Sequence, residues 1–403
     1  RRGTVSQDTT RIVLYSHDAL GLGHLRRNLA LAHQLAHDLP RLTGAGVTGL
    51  LVAGLAPPAD FLLPPGFDWL ILPGFTKSPV GYRPRRLRDT PQSLAALRSA
   101  LVATALTDFA PALVIVDRHL YGVRGELRAP LHRLREARPA TRIVLGLREV
   151  LDDPETAASE WEALDSPDAL RRIIDEVWVY GDQRVHDPLA SGEIPDFLHD
   201  LAVFTGYLAD GRALLDRERC QSEAPFVLTT VGGGCDGARL LTMAAGLTPP
   251  PGYRHMLVTG PQLDEADAAA VRDAAAPGTE IRRCPPGLSR YIERASAVVT
   301  MGGYNTACEV LASSAPALIV PREEPRREQL IRARALQDAG AVDVMRDADL
   351  DAGALTRWVA RAVTRRVLRA HLRRDGLRTA AARAAALLRP DPSISHRRQE
   401  KAS

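Results

Sequence analysis

Short β-rich runs alternate with longer amphipathic stretches along most of this chain, and the alternation is played twice. RIVLYS (11–16), VTGLLVAG (47–54), DWLILPG (68–74), ALVIVD (112–117), RIVLGL (142–147) and EVWVYG (176–181) are separated by segments such as LRRNLALAHQLAHDL. That alternation is the signature of a parallel sheet wrapped by helices, because a crossover helix returns each strand to the same end of the sheet. The theme restarts with PFVLTTVGGG (225–234), YRHMLVTG (253–260), TEIRRC (279–284), ASAVVTMGG (295–303) and APALIVPR (315–322). Between the halves lies FTGYLADG (204–211), a short segment of the kind that joins domains. From about residue 354 the chain reads as helix, ending in a polar tail expected to be disordered.

Composition removes several classes of function. Lys77 and Lys401 are the only lysines among 52 basic residues, so a phosphate-binding G-K-[ST] loop and a Schiff-base lysine are excluded. The cysteines at 220, 235, 284 and 308 form no C-x-x-C pair and no zinc spacing, which argues for scattered reduced thiols. A formal charge of +4 over 403 residues is too dilute for a nucleic-acid partner, although RPRRLR (83–88) is a local basic cluster, a solvated loop or an anion contact. No apolar run approaches 18 residues, so no transmembrane segment is expected, and the polar first residues read as a trimmed cytoplasmic start.

In open parallel sheets ligands collect beyond the carboxyl ends of the strands, and four loops there carry chemistry. In GLGHLRR (21–27), Gly21 and Gly23 begin a dinucleotide fingerprint, but Arg26 replaces its third glycine and His24 intervenes. His24 then sits at the mouth of a cleft, or satisfies a helix end. In TTVGGGCDGARLL (229–241), Gly232, Gly233, Gly234 and Gly237, with Asp236 among them, lie between a strand and a helix, a natural diphosphate cradle or a packing turn. The most specific loop places Met301, Gly302, Gly303, Tyr304, Asn305 and Thr306 at a helix start and Glu309 one turn on, where a carboxylate can accept from a ribose diol. Beside it PREEPRREQLIR (321–332) supplies Arg322, Glu328, Gln329 and Arg332, or simply a charged helix face. His33 and His37 lack a third metal ligand, and the D-x-D at 349–351 precedes a helix and reads as a cap.

GLGH, VGGGCDGAR and MGGYNTACEVLASSAPALIVPR, in this order over about residues 11–345, resemble the GT-B glycosyltransferases, in the branch containing the peptidoglycan-precursor N-acetylglucosaminyltransferase, of the family 28 C-terminal-domain type. The resemblance implies two Rossmann-like domains with parallel sheets and an interdomain cleft. The acceptor binds residues 1–204 and the nucleotide sugar 205–385, the last helices from about 354 pack back on the first domain, and 386–403 is a disordered tail. It implies that Gly21, Gly23 and His24 face the donor sugar and acceptor, that Gly232–Gly237 and Gly302–Thr306 hold diphosphate, and that Glu309 holds ribose. The base-binding stretch departs from the relatives: it reads CPPGL, with Cys284 and Leu288, and Pro285 and Pro286 have no N–H to give. Uridine is therefore a preference. VDRHLYGVRGEL (116–127) and LREVLDDPE (147–155) do not map onto the peptidoglycan enzyme.

The expected function is an inverting, metal-independent transfer from a UDP-sugar to a soluble polar acceptor in the cytoplasm, without a cofactor. His24 is the expected base, Asp117 and Glu149 are its competitors or orienters, and backbone N–H groups with Arg322 stabilise the leaving group. The alternatives are a nucleotide-sugar hydrolase, since some of this fold share a GLGHxxR-type loop, and a non-catalytic nucleotide-sugar-binding protein. The oligomeric state is left open.

Overall fold

The computed structural model describes residues 9–17, 22–59, 61–78, 81–212, 220, 222, 224–233, 236–285 and 287–389. Gly21, Gly234 and the tail from 390 lie outside the described residues.

The first sheet holds β1 (Thr9–Tyr15), β2 (Gly46–Ala53), β3 (Phe67–Ile71), β6 (Leu113–Asp117), β7 (Arg142–Arg148), β8 (Glu176–Tyr180) and β9 (Ala202–Phe204), in the order β3-β2-β1-β6-β7-β8-β9. Every neighbouring pair is parallel. A separate antiparallel hairpin, β4 (Phe75–Ser78) and β5 (Gly81–Pro84), interrupts the series. The second sheet is also parallel, β12-β11-β10-β13-β14-β15, built from β10 (Phe226–Thr230), β11 (Arg254–Val258), β12 (Thr279–Arg282), β13 (Ala297–Thr300), β14 (Ala317–Ile319) and β15 (Asp343–Val344). Strands covered on both faces read as unbroken apolar runs, and β6, β8 and β10 are buried along their whole length.

Helices α1 (Gly23–Thr43), α2 (Pro91–Phe109), α3 (Arg128–Ala137), α4 (Pro154–Glu162) and α5 (Pro167–Ile173) belong to the first half. The second half carries α6 (Ala238–Ala245), α7 (Glu265–Asp273), α8 (Leu288–Arg294), α9 (Tyr304–Leu311), α10 (Glu328–Asp338) and α11 (Ala352–Ala362). The last helix, α12 (Gly376–Leu388), crosses back: it packs along α1, and Arg142 on β7 donates to the Leu387 carbonyl at 3.2 Å. Of the two late helices expected to return to the first half, only α12 does. α11 stays on the second sheet, with Leu355, Trp358 and Val359 in its core. Residues 386–388, expected to belong to a disordered tail, are instead the last turn of α12.

Segment 204–211 joins the two sheets and is itself buried at Tyr207, Leu208 and Ala209, the Tyr207 N–H meeting the Arg373 carbonyl at 2.8 Å. One apolar cluster runs from the first sheet through α1 and α12 into the second sheet, and a further cluster lies on the far face of each sheet.

Candidate active site

Each sheet has one point where strand order reverses, between β1 and β6 and between β10 and β13. There the loops leaving two adjacent strands turn in opposite directions and open a crevice. The two crevices meet in one cavity of about 600 Å³, a size suited to a small-molecule ligand. Surface helices such as α2, α4, α5, α7 and α11 are N-capped by Thr90, Asp153, Ser166, Asp264 and Asp351. By contrast α1 and α9, whose first residues line the cavity, have no side-chain cap, so their opening N–H groups remain available to an anion. Asp351, in the D-x-D, accepts from the Ala354 N–H at 2.7 Å and is that cap.

At the first crevice His24, in the opening turn of α1, reaches Asp117, the last residue of β6. Its Nδ1 bonds to Asp117 Oδ2. Arg27, one turn along α1, donates from Nε to Asp117 Oδ1 at 3.0 Å and from Nη2 to Oδ2 at 2.7 Å. Burial alone would raise the Asp117 carboxyl, but Arg27 and then His24 hold it far below the usual carboxylate range. The Nδ1 edge of the ring thus meets both the Asp117 carboxylate and, at 2.9 Å, Arg27 Nη2. The His24 side chain keeps 21% of its surface exposed, whereas that of Asp117 keeps 1%. Spacing i, i+3 puts His24 and Arg27 on one helix face, so one carboxylate orients both.

Two further imidazoles stand beside this pair. The His17 ring lies 4.7 Å from that of His24 and 4.6 Å from that of His119. Burial and neighbouring charges push both His17 and His119 well below the ordinary histidine range, so both are neutral near pH 7. Arg118, between Asp117 and His119, has φ 65°, a left-handed conformation costly for a residue with a Cβ. Its N–H is fixed to the Gly146 carbonyl at 2.8 Å, and its side chain pairs with Glu160 at 2.5 Å.

At the second crevice the turn after β13 needs glycine. Gly302 has φ 82°, and a Cβ there would lie 2.7 Å from Ile319 Cγ2. Gly232, Gly233, Met301, Gly303, Tyr304, Asn305 and Thr306 all line the cavity, as do Asp236, Cys284, Leu288, Glu309, Arg322, Glu328 and Gln329. Gly237 instead packs on Val231, and Gly302 shapes the turn without lining the cavity. Glu309, 5% exposed, takes Arg26 Nη2 on Oε1 at 2.8 Å, while its Oε2 is buried without a partner. Asn305 Nδ2 donates to the Gly23 carbonyl at 2.9 Å, tying the α9 start to the α1 start.

Three sequence expectations are corrected here. Glu149 is fully buried, with Arg332 Nε 2.7 Å from Oε1 and Nη2 3.2 Å from Oε2, a pair that joins β7 to α10 and leaves no oxygen for a base. Burial opposes the Arg332 charge, but Glu149 more than offsets it. Arg322 is not a free countercharge for a phosphate, since Asp236 and Glu328 each hold it at 2.5 Å. Tyr304 is a tie between the halves: its hydroxyl donates to the Tyr180 carbonyl at 2.7 Å and accepts from the Leu208 N–H at 3.2 Å, with Arg27 and Arg332 on its ring. His33 and His37 do not converge either, the first bonding the Leu62 carbonyl and the second Asp38.

Sequence reasoning missed Arg26, Arg27, Arg148, Arg212 and Gln262, all but Arg27 and Arg212 more exposed than the core and all on the cavity wall. The helical spacing from His24 was the available signal for Arg27. Arg148 and Arg212 carry no local signal, since what sets them apart is that among the described residues neither forms an ion pair, a property of the folded chain.

Two parallel sheets meeting at their switch points, with a final helix crossing back, are the GT-B glycosyltransferase fold. CalG4, the calicheamicin glycosyltransferase, is similar over 94% of this chain and 97% of its own, with TM-score 0.57 and 18% identity. Residues 253–382 match the glycosyltransferase family 28 C-terminal domain. Two curated relatives are the UDP-N-acetylglucosamine–N-acetylmuramyl-(pentapeptide) pyrophosphoryl-undecaprenol N-acetylglucosamine transferases of Acidothermus cellulolyticus and Mannheimia succiniciproducens. The first is 30% identical over 193 residues, 44% of this chain and 50% of the relative. The second is 29% identical over 130 residues, 31% of this chain and 37% of the relative. The chain thus matches half or less of their length. Among the described residues no helix is long and apolar enough to cross a membrane.

Proposed function

We propose that the chain transfers a sugar from a nucleoside diphosphate sugar to an acceptor hydroxyl, with inversion at the anomeric carbon and without a metal. The observation that carries this reading is the His24–Asp117–Arg27 constellation, set at one switch point and joined through Gly23 and Arg27 to a cavity whose other wall is the uncapped start of α9 with Glu309. The family 28 domain and the named activities of the relatives support the reaction class.

In this reaction the Nε2 lone pair of His24 takes the hydroxyl proton as the acceptor oxygen bonds to the anomeric carbon. The bond from that carbon to the diphosphate oxygen breaks on the opposite face, and the nucleoside diphosphate leaves with the electron pair. Asp117 stabilises the imidazolium that forms and keeps its Nδ1 proton in place. Backbone N–H groups at the α9 start and in the loop after β10 meet the developing phosphate charge, at no cost in reorganisation. Glu309 Oε2 is the unfilled acceptor for a ribose hydroxyl.

The deciding experiment incubates the protein with UDP-, dTDP- and GDP-sugars, first alone and then with a panel of acceptor alcohols, and reads anomeric configuration by NMR. Transfer with inverted configuration and slow release of free sugar supports the proposal. Fast stoichiometric release of free sugar without acceptor replaces it with the hydrolase reading, and tight binding without turnover replaces it with a binding protein.

A further inference from the structure

Most arginines around the cleft are paired with carboxylates, while Arg212 donates to the Leu208 carbonyl of the segment joining the halves. Arg27 holds Asp117, Arg26 holds Glu309, Arg322 holds Asp236 and Glu328, Arg332 holds Glu149, and Arg118 holds Glu160. Arg148 breaks the pattern. It is the last residue of β7, two residues past the point where Gly146 pairs with Asp117, it lines the cavity, and among the described residues its side chain makes no ion pair and no hydrogen bond. Its Nε is shielded from solvent without a partner.

We propose that Arg148 anchors an anionic substituent, a carboxylate or a phosphate, carried by the molecule that reacts at His24. This rests on the reading of the cleft as a glycosyl-transfer site. The strongest charges acting on Arg148 are Arg27 and Arg332, then Glu328, one of whose oxygens is already taken by Arg322, and Arg118. Burial first, then Arg27 and Arg332, draw the guanidinium down to about 9. Arg27, Arg332 and Arg118 are each matched to a carboxylate, whereas the Arg148 side chain lines the cavity unmatched, an arrangement explained by a ligand that brings the missing charge. A planar guanidinium fork suits two oxygens of one carboxylate or phosphate.

The position selects which part of the substrate carries that charge. Arg148 lines the same cavity as Arg27, which holds Asp117 beside the base, and as Glu328 at the start of α10. An anion held there lies in the cleft that the two halves share. The shared chemistry is an oxyanion close to the reacting hydroxyl, on the acceptor or on the sugar.

The test is calorimetry on the full chain at constant ionic strength, with probes that differ by one anionic group. UDP-glucuronic acid against UDP-glucose reads a charge on the sugar. N-acetylglucosamine 1-phosphate against N-acetylglucosamine, with and without UDP, reads a charge on the acceptor. We expect the anionic member of one pair to bind roughly tenfold to a hundredfold tighter than its neutral partner, the scale of hydrogen bonds to a charged group. Arg148→Gln should abolish that preference, Arg148→Lys should keep part of it, and neither should lower the Tm, because no native pair is broken.

Equal affinities within both pairs overturn the inference, as does a preference that survives in Arg148→Gln. An equal loss of UDP affinity in Arg148→Gln also overturns it, by assigning the arginine to the donor diphosphate. A lower Tm in both variants overturns it in favour of a structural role. Failure of UDP itself to bind would instead remove the proposed function, and leaves the acceptor pair as a direct reading of Arg148.

Discussion

Replacing Asp117 with asparagine removes one negative charge from a site where three bonds converge on two oxygens, with the carboxylate side chain 1% and the Arg27 side chain 3% exposed. Breaking a buried pair on one side costs about 3–5 kcal/mol, and the amide oxygen can still accept from Arg27, which favours the lower end. At about 2–4 °C per kcal/mol for a domain of 150–250 residues, the Tm should fall on the order of 10 °C while the chain stays folded at 25 °C. The catalytic loss should be larger. An amide no longer assigns the proton to His24 Nδ1, and losing the orienting carboxylate of such a pair lowers kcat by about 10⁴. His24→Ala should lower kcat by about 10² or more through loss of the base itself. Because the two side chains act as one unit, the double variant should be no slower than the slower single one. Initial rates of nucleoside diphosphate release with a saturating acceptor measure the three variants, and calorimetry with UDP should show donor affinity nearly unchanged. If the two losses multiply, or if Asp117→Asn loses thermal stability but keeps kcat, the carboxylate serves only to hold Arg27 and the mechanism is wrong.

Glu309→Ala should weaken UDP binding by about 1.5–3 kcal/mol, as expected for hydrogen bonds to a charged acceptor, and calorimetry showing unchanged affinity for every nucleoside diphosphate would remove the residue from the site. Tyr304→Phe should cost about 1–3 kcal/mol in urea unfolding, since it leaves the Tyr180 carbonyl and the Leu208 N–H short of a partner, with little effect on donor KM. Turnover should persist in excess EDTA; activity lost to the chelator and restored by magnesium or manganese contradicts a metal-free reaction. His255 is lowered by burial to about 4, against 6.5 in an ordinary environment. Its contribution is intact above pH 6.5 and is lost as pH falls toward 4, amounting to about 2 kcal/mol at pH 5. His255→Gln, which can keep the Thr229 hydroxyl contact, should therefore lose less unfolding free energy than the wild type between pH 8 and pH 5; equal losses would show that His255 is not the group responsible.

Strand by strand, the parallel sheets were legible because a strand covered on both faces is largely apolar, as LVIVD, EVWVY and FVLTT are, with their polar residues confined to the strand ends. The hairpin FTKS and GYRP and the edge strands AVF and DV were not, since short or edge segments are held by partners distant in sequence, and the return of α12 was implied only by the family resemblance. The glycine turns after β10 and β13 were also local facts: a left-handed φ at Gly232 or Gly302 is demanded within a few residues and leaves its mark in the residue type. Charge pairing left no such mark. Asp117 and Glu149 look alike in sequence, each an acid at or just beyond the end of a neighbouring strand. Folding set one against a partly exposed histidine in α1 and buried the other against Arg332 in α10, 183 residues away. An ion pair depends on which side chains arrive within a few ångströms and on how much water they exclude, and both quantities exist only in the folded chain.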